Sequence, residues 1–516
     1  MLWEVSLFLS AISGILLALP FCRGRLWIFA WFGFVPLFLA LRDKSRLQSF
    51  LLSYLCGIIF WSITIYWLIH VTLLGQILLI LYLSLYFGIF GLLVSKLLTI
   101  DYRLSTLLFI PSLWVLLEYL RAHLLTGFGW VLLGYSQYLN LPIIQIADIF
   151  GAYGVSFMVM MGNMAVYRLV VTRAQGHKST RKEIKYSIAV VICIFIVLGY
   201  GYFKLYEPRL PAVEAGTTFN VSVIQGNIPQ ELKWTPGAEG FILDRYLGLS
   251  QEAAKDRPDL IIWPEASVPG FLGEDEWVFK AITEKTKSIG IPILTGTVVR
   301  EEDKYYNSAL LIDKQGNLTG RYDKLHLVPF GEYIPLKNTF KFLETIVPIG
   351  DFTPGREYVM FELPGSARAP EHQSAGSQVK FAVLICFEDT IPELSRGFVK
   401  KGADFLVNIT NDGWFGRSSA PYQHLSASVF RAVENRVPVA RAANTGVSCF
   451  IDSGGRIISS VSQGLREIFI PGFKSGNIAI GRGGSLYCRM GDIFVFVCLA
   501  IATFCGIIGN LKVKTE

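Results

Sequence analysis

Three polar side chains stand at the ends of strand-like runs: a thiol, a carboxylate and an ammonium. Cys386 follows the β-rich run Val379–Ile385 and precedes Phe387, Glu388 and Asp389. A thiol presented where a buried strand gives way to a polar turn is placed as a nucleophile would be. Glu265 ends the segment Ile-Ile-Trp-Pro-Glu, and Lys324 and Glu332 lie within Tyr-Asp-Lys-Leu-His-Leu-Val-Pro-Phe-Gly-Glu. A glutamate, a lysine and a cysteine so disposed suggest covalent acyl chemistry.

The elements that must position them alternate in type. Strands are predicted over 219–225, 260–263, 291–297, 308–312, 380–385, 404–409 and 437–442. Helices are predicted over 238–254, 274–288, 391–400 and 423–435. Such alternation argues an α/β domain with largely buried sheets. In this class functional groups gather at the carboxyl ends of strands. Glu265, Cys386 and Asn411 each fall just past such an end.

The rest of the chain is membrane-like. Of its 516 residues 52% are hydrophobic and only 17% charged, against about a quarter charged in a typical soluble protein. Apolar stretches near the length that crosses a bilayer cover 7–20, 27–41, 50–71, 77–97, 104–120, 146–170, 186–202 and 493–511. The first two are short enough to form a helical hairpin. The first lacks a basic leading region, and Leu-Pro-Phe-Cys22 is a poor cleavage site, so it is read as retained. About eight spans place both termini on one side. Arg173, Lys178, Arg181, Lys182 and Lys185 mark the loop between the sixth and seventh spans as cytoplasmic. Arg42, Lys44, Arg46, Lys96, Arg103, Lys512 and Lys514 fall on the same side; Arg23, Arg25 and Arg121 are exceptions. The expected organisation is a membrane domain over 1–204, an extracytoplasmic catalytic domain over 205–488, and a last span with a short cytoplasmic tail over 489–516. The net charge of +7 then reflects topology and anionic lipid, and no nucleic-acid motif is visible. Dispersed histidines and the absence of Cys-x-x-Cys argue against a metal site, and no cofactor loop occurs. Only Cys386 and Cys449 lie inside the α/β region, where a disulfide between them is the alternative to a free nucleophile.

Trp-Pro-Glu265, Tyr-Asp-Lys324 through Glu332, and Ile-Cys386-Phe-Glu388 resemble the three motifs of the nitrilase, or carbon–nitrogen hydrolase, superfamily. Gln225-Gly-Asn-Ile-Pro-Gln, Leu232-Lys-Trp234, Glu332-Tyr-Ile-Pro and Asn411-Asp-Gly-Trp414-Phe-Gly narrow the resemblance to the apolipoprotein N-acyltransferases. The resemblance implies an αββα sandwich inserted in a polytopic helical membrane bundle of the bacterial inner membrane. It implies acyl transfer from a phospholipid to the α-amino group of a diacylglyceryl-cysteine apolipoprotein, by a monomer, without a cofactor. Cys386 would be the nucleophile, Glu265 its base and Lys324 the oxyanion's partner. Glu332 and Glu388 would support the site, by ordering Lys324 or receiving the amine proton. Phe387 departs from the family's usual tyrosine and removes its hydroxyl. Trp234, Trp414 and Phe415 would line the acyl or headgroup entrance, although ordinary aromatic core accounts for them as well.

Two other readings stay open at this stage. A membrane-tethered amidase hydrolysing a small compound would share the triad. A transporter with an exterior binding domain would need paired charges within its spans, of which Glu118 is the clearest candidate.

Overall fold

The computed structural model describes residues 3–95, 104–174, 181–206, 218–233, 235–272, 274–334, 352–365, 378–481 and 483–513. They fall into two compact units. One comprises Met1–Glu207, Ser418–Ser426 and Met490–Glu516; the other comprises Pro208–Arg417 and Ala427–Arg489.

The first unit is helical. Long helices run over Trp3–Cys22, Arg46–Thr64, Leu73–Val94, Leu104–His123, Ala147–Ala174, Arg181–Tyr206 and Ile493–Val513. The second expected span is broken, with a 3-10 turn over Gly24–Trp31 followed by a helix over Val35–Leu41. Among the described residues six segments are long and apolar enough to cross a membrane: Trp3–Cys22, Gly24–Leu41, Arg46–Thr64, Leu73–Val94, Ala147–Arg173 and Ile188–Tyr206. Leu104–His123 is not in that set, and the apolar run Ile493–Cys505 is shorter. Helix starts follow local chemistry. Ser45 and Gln48 form a reciprocal capping box, and Thr72 accepts from the Gly75 N–H. Phe34 sits at the middle of an aromatic core, 4.7 Å from Trp114 and 5.9 Å from Phe90.

Two features of this unit bear on the sequence reading. Arg121, an exception to the charge pattern, is buried and donates to the carbonyls of Phe128, Trp130 and Val131. It closes an internal turn. Glu118, one helical turn earlier, accepts from the Leu133 N–H. The second feature is a polar hub. Gln423 accepts from the indole N–H groups of Trp67, at 3.1 Å, and Trp130, at 2.8 Å. Its amide nitrogen donates to the carbonyls of Phe21 and Thr64, and the ring of His424 packs 5.1 Å from Trp130.

The second unit is an αββα sandwich. Its strands are β1 (Thr218–Gln225), β2 (Leu260–Ile262), β3 (Phe271–Leu272), β4 (Ile293–Glu301), β5 (Lys304–Ile312), β6 (Leu318–Asp323) and β7 (Phe361–Pro364), followed by β8 (Gln378–Ile385), β9 (Phe405–Thr410), β10 (Val439–Ala443), β11 (Cys449–Ile451), β12 (Ile457–Ser460) and β13 (Gly472–Ala479). One sheet has the order β13-β1-β2-β4-β5-β6 with β3 on β4, and the other β12-β11-β10-β9-β8-β7. Their inner faces meet at pairs such as Phe219 and Phe405, 5.9 Å apart. Each sheet has a parallel centre, β1-β2-β4 and β8-β9-β10. Every residue of β9 and β10 is buried, as expected for strands covered on both faces. The helix Glu276–Ile289 buries Val278, Ile282 and Thr286 at a spacing of four, one face of a helix. Trp263 stacks 5.1 Å from Tyr246 in the same layer.

The seven expected strands are β1, β2, β4, β5, β8, β9 and β10, and the four expected helices form over Glu239–Ala253, Glu276–Ile289, Pro392–Lys400 and Ala420–Asn435. All eight cysteines are free, so Cys386 and Cys449 form no disulfide.

Candidate active site

Glu265 is aimed by what precedes and follows it. The buried Trp263 fixes the strand end, and its indole donates to Ser250 Oγ at 2.7 Å. Ala266 then takes a left-handed conformation, φ 46°. Opposite, Gly296 of β4 leaves room for the turn: a Cβ there would stand 2.6 Å from the Glu265 Cα. Glu265 Oε1 accepts from Asn307 Nδ2 at 2.8 Å, and Oε2 accepts from the Asn411 N–H at 3.0 Å.

Lys324 follows β6 directly, and its backbone N–H continues the ladder to the Asn307 carbonyl at 2.8 Å. Its buried ammonium lies 2.9 Å from the Glu332 carboxylate and 3.6 Å from Glu265 Oε1. Glu332 is pinned in turn by Asn307 Nδ2 and by the Val328 N–H. Burial works against the lysine's charge. Glu332 and Glu265 more than offset it, so Lys324 is held as an ammonium well above its usual range.

Cys386 follows β8 in a left-handed conformation, φ 53°, and opens the 3-10 turn Cys386–Thr390. A non-glycine residue in this region is strained. Asn408 Nδ2 holds its carbonyl at 3.2 Å, and the Thr410 side chain hydrogen-bonds the thiol. Burial, then the neighbouring negative charge of Glu265, push the thiol well above its usual range; Lys324 and Thr410 pull the other way. The resting group is therefore a thiol. It becomes nucleophilic only as its proton leaves, and Glu265 is the carboxylate whose charge it feels most, ahead of Asp412.

The two supporting acids separate in role. Glu332 orders Lys324. Glu388 accepts from the N–H groups of Leu325, His326 and Ile385 and from the Tyr322 hydroxyl. It thus clamps the segment after Lys324 to the strand that ends in Cys386. Its burial raises its pKa to about 7, against the pull of those donors. Phe387 is partly buried and its carbonyl accepts from Thr390 Oγ1. Trp414 is half exposed and Phe415 partly buried. Trp234 lies outside the described residues.

Several contributors were not singled out in the sequence. Asn307 bridges the two carboxylates. Arg441, fully buried on β10, donates to Asp389, Asn408, Ser428 and Asp412. It thereby fixes the asparagine that holds the Cys386 carbonyl. Asn408 and Arg441 did leave a signal, as polar residues in the middle of wholly apolar strands. Among the described residues no His, Cys, Asp and Glu group is arranged to hold a metal ion.

A carboxylate, an ammonium and a thiol at strand ends of an αββα sandwich define the carbon–nitrogen hydrolase class, and residues 220–479 match the carbon–nitrogen hydrolase family. Residues 13–165 match the apolipoprotein N-acyltransferase N-terminal domain. An apolipoprotein N-acyltransferase of Geobacter metallireducens is 38% identical over 95% of this chain and 93% of its own. One from Vibrio cholerae is 29% identical over 96% and 95%. Among solved structures, an amidase from Nesterenkonia sp. aligns with 54% of this chain and 96% of its own at 17% identity, with a TM-score of 0.38. The chain belongs to the apolipoprotein N-acyltransferase family. It is an acyltransferase and a multi-pass protein of the bacterial inner membrane.

Proposed function

We propose that the protein moves an acyl chain from a membrane phospholipid to the α-amino group of a diacylglyceryl-cysteine apolipoprotein, through a thioester on Cys386. The observation that carries this reading is the charge arrangement around the thiol. Lys324 is permanently cationic, Glu265 is placed to accept a proton, and Cys386 rests protonated.

In the first half-reaction the Cys386 sulfur attacks the ester carbonyl while Glu265 takes the thiol proton. Transfer of that proton also removes the negative charge that opposes the thiolate. The tetrahedral oxyanion forms against Lys324. Collapse breaks the ester C–O bond, and Glu265 returns its proton to the lysophospholipid alkoxide. In the second half-reaction the apolipoprotein amine attacks the thioester and gives a proton to Glu265. The C–S bond breaks, the amide is released, and Glu265 reprotonates the thiolate. Exclusion of water favours transfer over hydrolysis. Trp234, Trp414 and Phe415 are proposed to border the acyl or headgroup path.

The Lys and Arg distribution supports both termini in the cytoplasm and residues 205–488 outside it. The catalytic domain follows seven apolar segments and precedes an eighth in the sequence, an arrangement suited to two lipid-borne substrates. We further propose that it acts as a monomer and needs no cofactor.

The test is incubation with a phospholipid carrying a labelled acyl chain. Wild-type protein should acquire a label that neutral hydroxylamine removes and Cys386→Ser abolishes. A diacylglyceryl peptide should then discharge it as an amide. No label on active enzyme would sink the covalent mechanism, and release as free fatty acid would favour a hydrolase.

A further inference from the structure

Lys233 is a buried charge near the site that this mechanism does not use. It follows the 3-10 turn Gln230–Leu232, and the residue is only 6% exposed. Its ammonium donates to two consecutive carbonyls, Glu265 O at 3.2 Å and Ala266 O at 2.9 Å. These flank the left-handed residue that aims the Glu265 carboxylate. The side-chain charges facing Lys233 are Glu265, from the turn after β2, and Cys386, from the turn after β8. Beyond Glu265 stand Lys324 and Glu332; Asp412 lies near Cys386.

The charges count unevenly without it. With the thiol neutral, Glu265, Glu332 and Lys324 sum to one net negative charge in a buried cluster. Such a charge is costly unless balanced. We propose that Lys233 is a positioning residue of the catalytic centre: it pins the Glu265–Ala266 turn through two carbonyls and supplies the cluster's missing positive charge. When sulfur loses its proton, Lys233 and Lys324 both favour the resulting anion. Burial lowers the Lys233 pKa to about 8, against the opposing pull of Glu265 and Cys386, so this second cation is present at neutral pH and fades above it.

The inference rests on the acyl-enzyme reading, but its test needs no acyl donor. Alkylation of Cys386 by iodoacetamide in the full-length protein, followed against pH by mass spectrometry, reports how readily the thiol yields its proton. Lys233→Met should move that profile up by about one pH unit, a roughly tenfold slowing at neutral pH. Lys233→Arg keeps the charge and should stay within about threefold of wild type at neutral pH. Above about pH 8, where Lys233 titrates, the Arg variant should react faster than wild type. A wild-type profile in Lys233→Met, or slowing by one factor at every pH, overturns the assignment. If Lys233→Met does not fold, Lys233→Arg decides alone, and a profile superimposable on wild type overturns it. A wild-type enzyme that forms no thioester would remove the acyl-enzyme reading and leave this comparison intact.

Discussion

Asn307 donates to Glu265 and to Glu332, each at 2.8 Å. Two carboxylates otherwise share one ammonium, and the amide gives each a further donor. Asn307→Leu keeps the volume and removes the donor. It should cost about 1–3 kcal/mol of ordering, or roughly 10- to 100-fold in single-turnover acylation. Asn307→Asp adds a third negative charge and should be worse. A wild-type rate in Asn307→Leu would mean that Lys324 alone holds the pair. Cys386 and Glu265 were legible because each interrupts an apolar run at its end, and Lys324 and Glu332 because they bracket the apolar segment Leu-His-Leu-Val-Pro-Phe-Gly. Asn307 was not: in Tyr-Tyr-Asn-Ser a polar side chain reads as the solvent face of a half-buried strand. Lys233 sat in a quoted motif, yet nothing in its neighbours announces that a lysine there is buried.

Adjacent parallel strands β8, β9 and β10 bring two polar side chains, Asn408 and Arg441, into register. Leu384 pairs with Asn408, and Asn408 with Arg441. Arg441 lies 3.0 Å from Asp389 and 3.3 Å from Asp412, all three fully buried. Removing one member of such a group leaves uncompensated charge and costs about 3–5 kcal/mol. Arg441→Met should therefore lower the half-inactivation temperature markedly and slow Cys386 alkylation as the β8 turn loosens. Arg441→Met with wild-type heat resistance would show that Asp389 and Asp412 find other partners. The central strands of both sheets were readable from their continuous apolar runs. The outer ones were not. β13, Gly-Phe-Lys-Ser-Gly-Asn-Ile-Ala, holds two glycines and little β-branched character, yet it pairs with β1 along its whole length. That pairing is a tertiary choice, made by an open sheet edge rather than by local propensity.

At the scale of the whole molecule the chain passes between its two units four times, at 207/208, 417/418, 426/427 and 489/490. Apolar content announced the first and last passages. The middle pair, which assigns Ser418–Ser426 to the helical unit, left no such mark. Its evidence is Gln423, whose amide has four partners on Phe21, Thr64, Trp67 and Trp130. In sequence those residues are some 300 to 400 positions away, and no local pattern encodes the meeting. Arg121 teaches the same lesson for charge. Counted by position it belongs to a loop on the wrong side, whereas the fold spends it on three carbonyls of its own hairpin.

The protonated resting state of Cys386 bears on survival as well as turnover. Peroxides and exchanging disulfides consume thiolate, so a neutral thiol is oxidised slowly. The burial and the Glu265 charge that make this sulfur wait for its base also shelter it between reactions. Glu265→Gln removes that charge and should leave a Cys386 that is catalytically silent yet oxidised faster by dilute peroxide, scored as sulfinic acid by mass spectrometry. Equal oxidation in the two proteins would place the shelter in burial alone. On this reading the carboxylate is a preservative as well as a base.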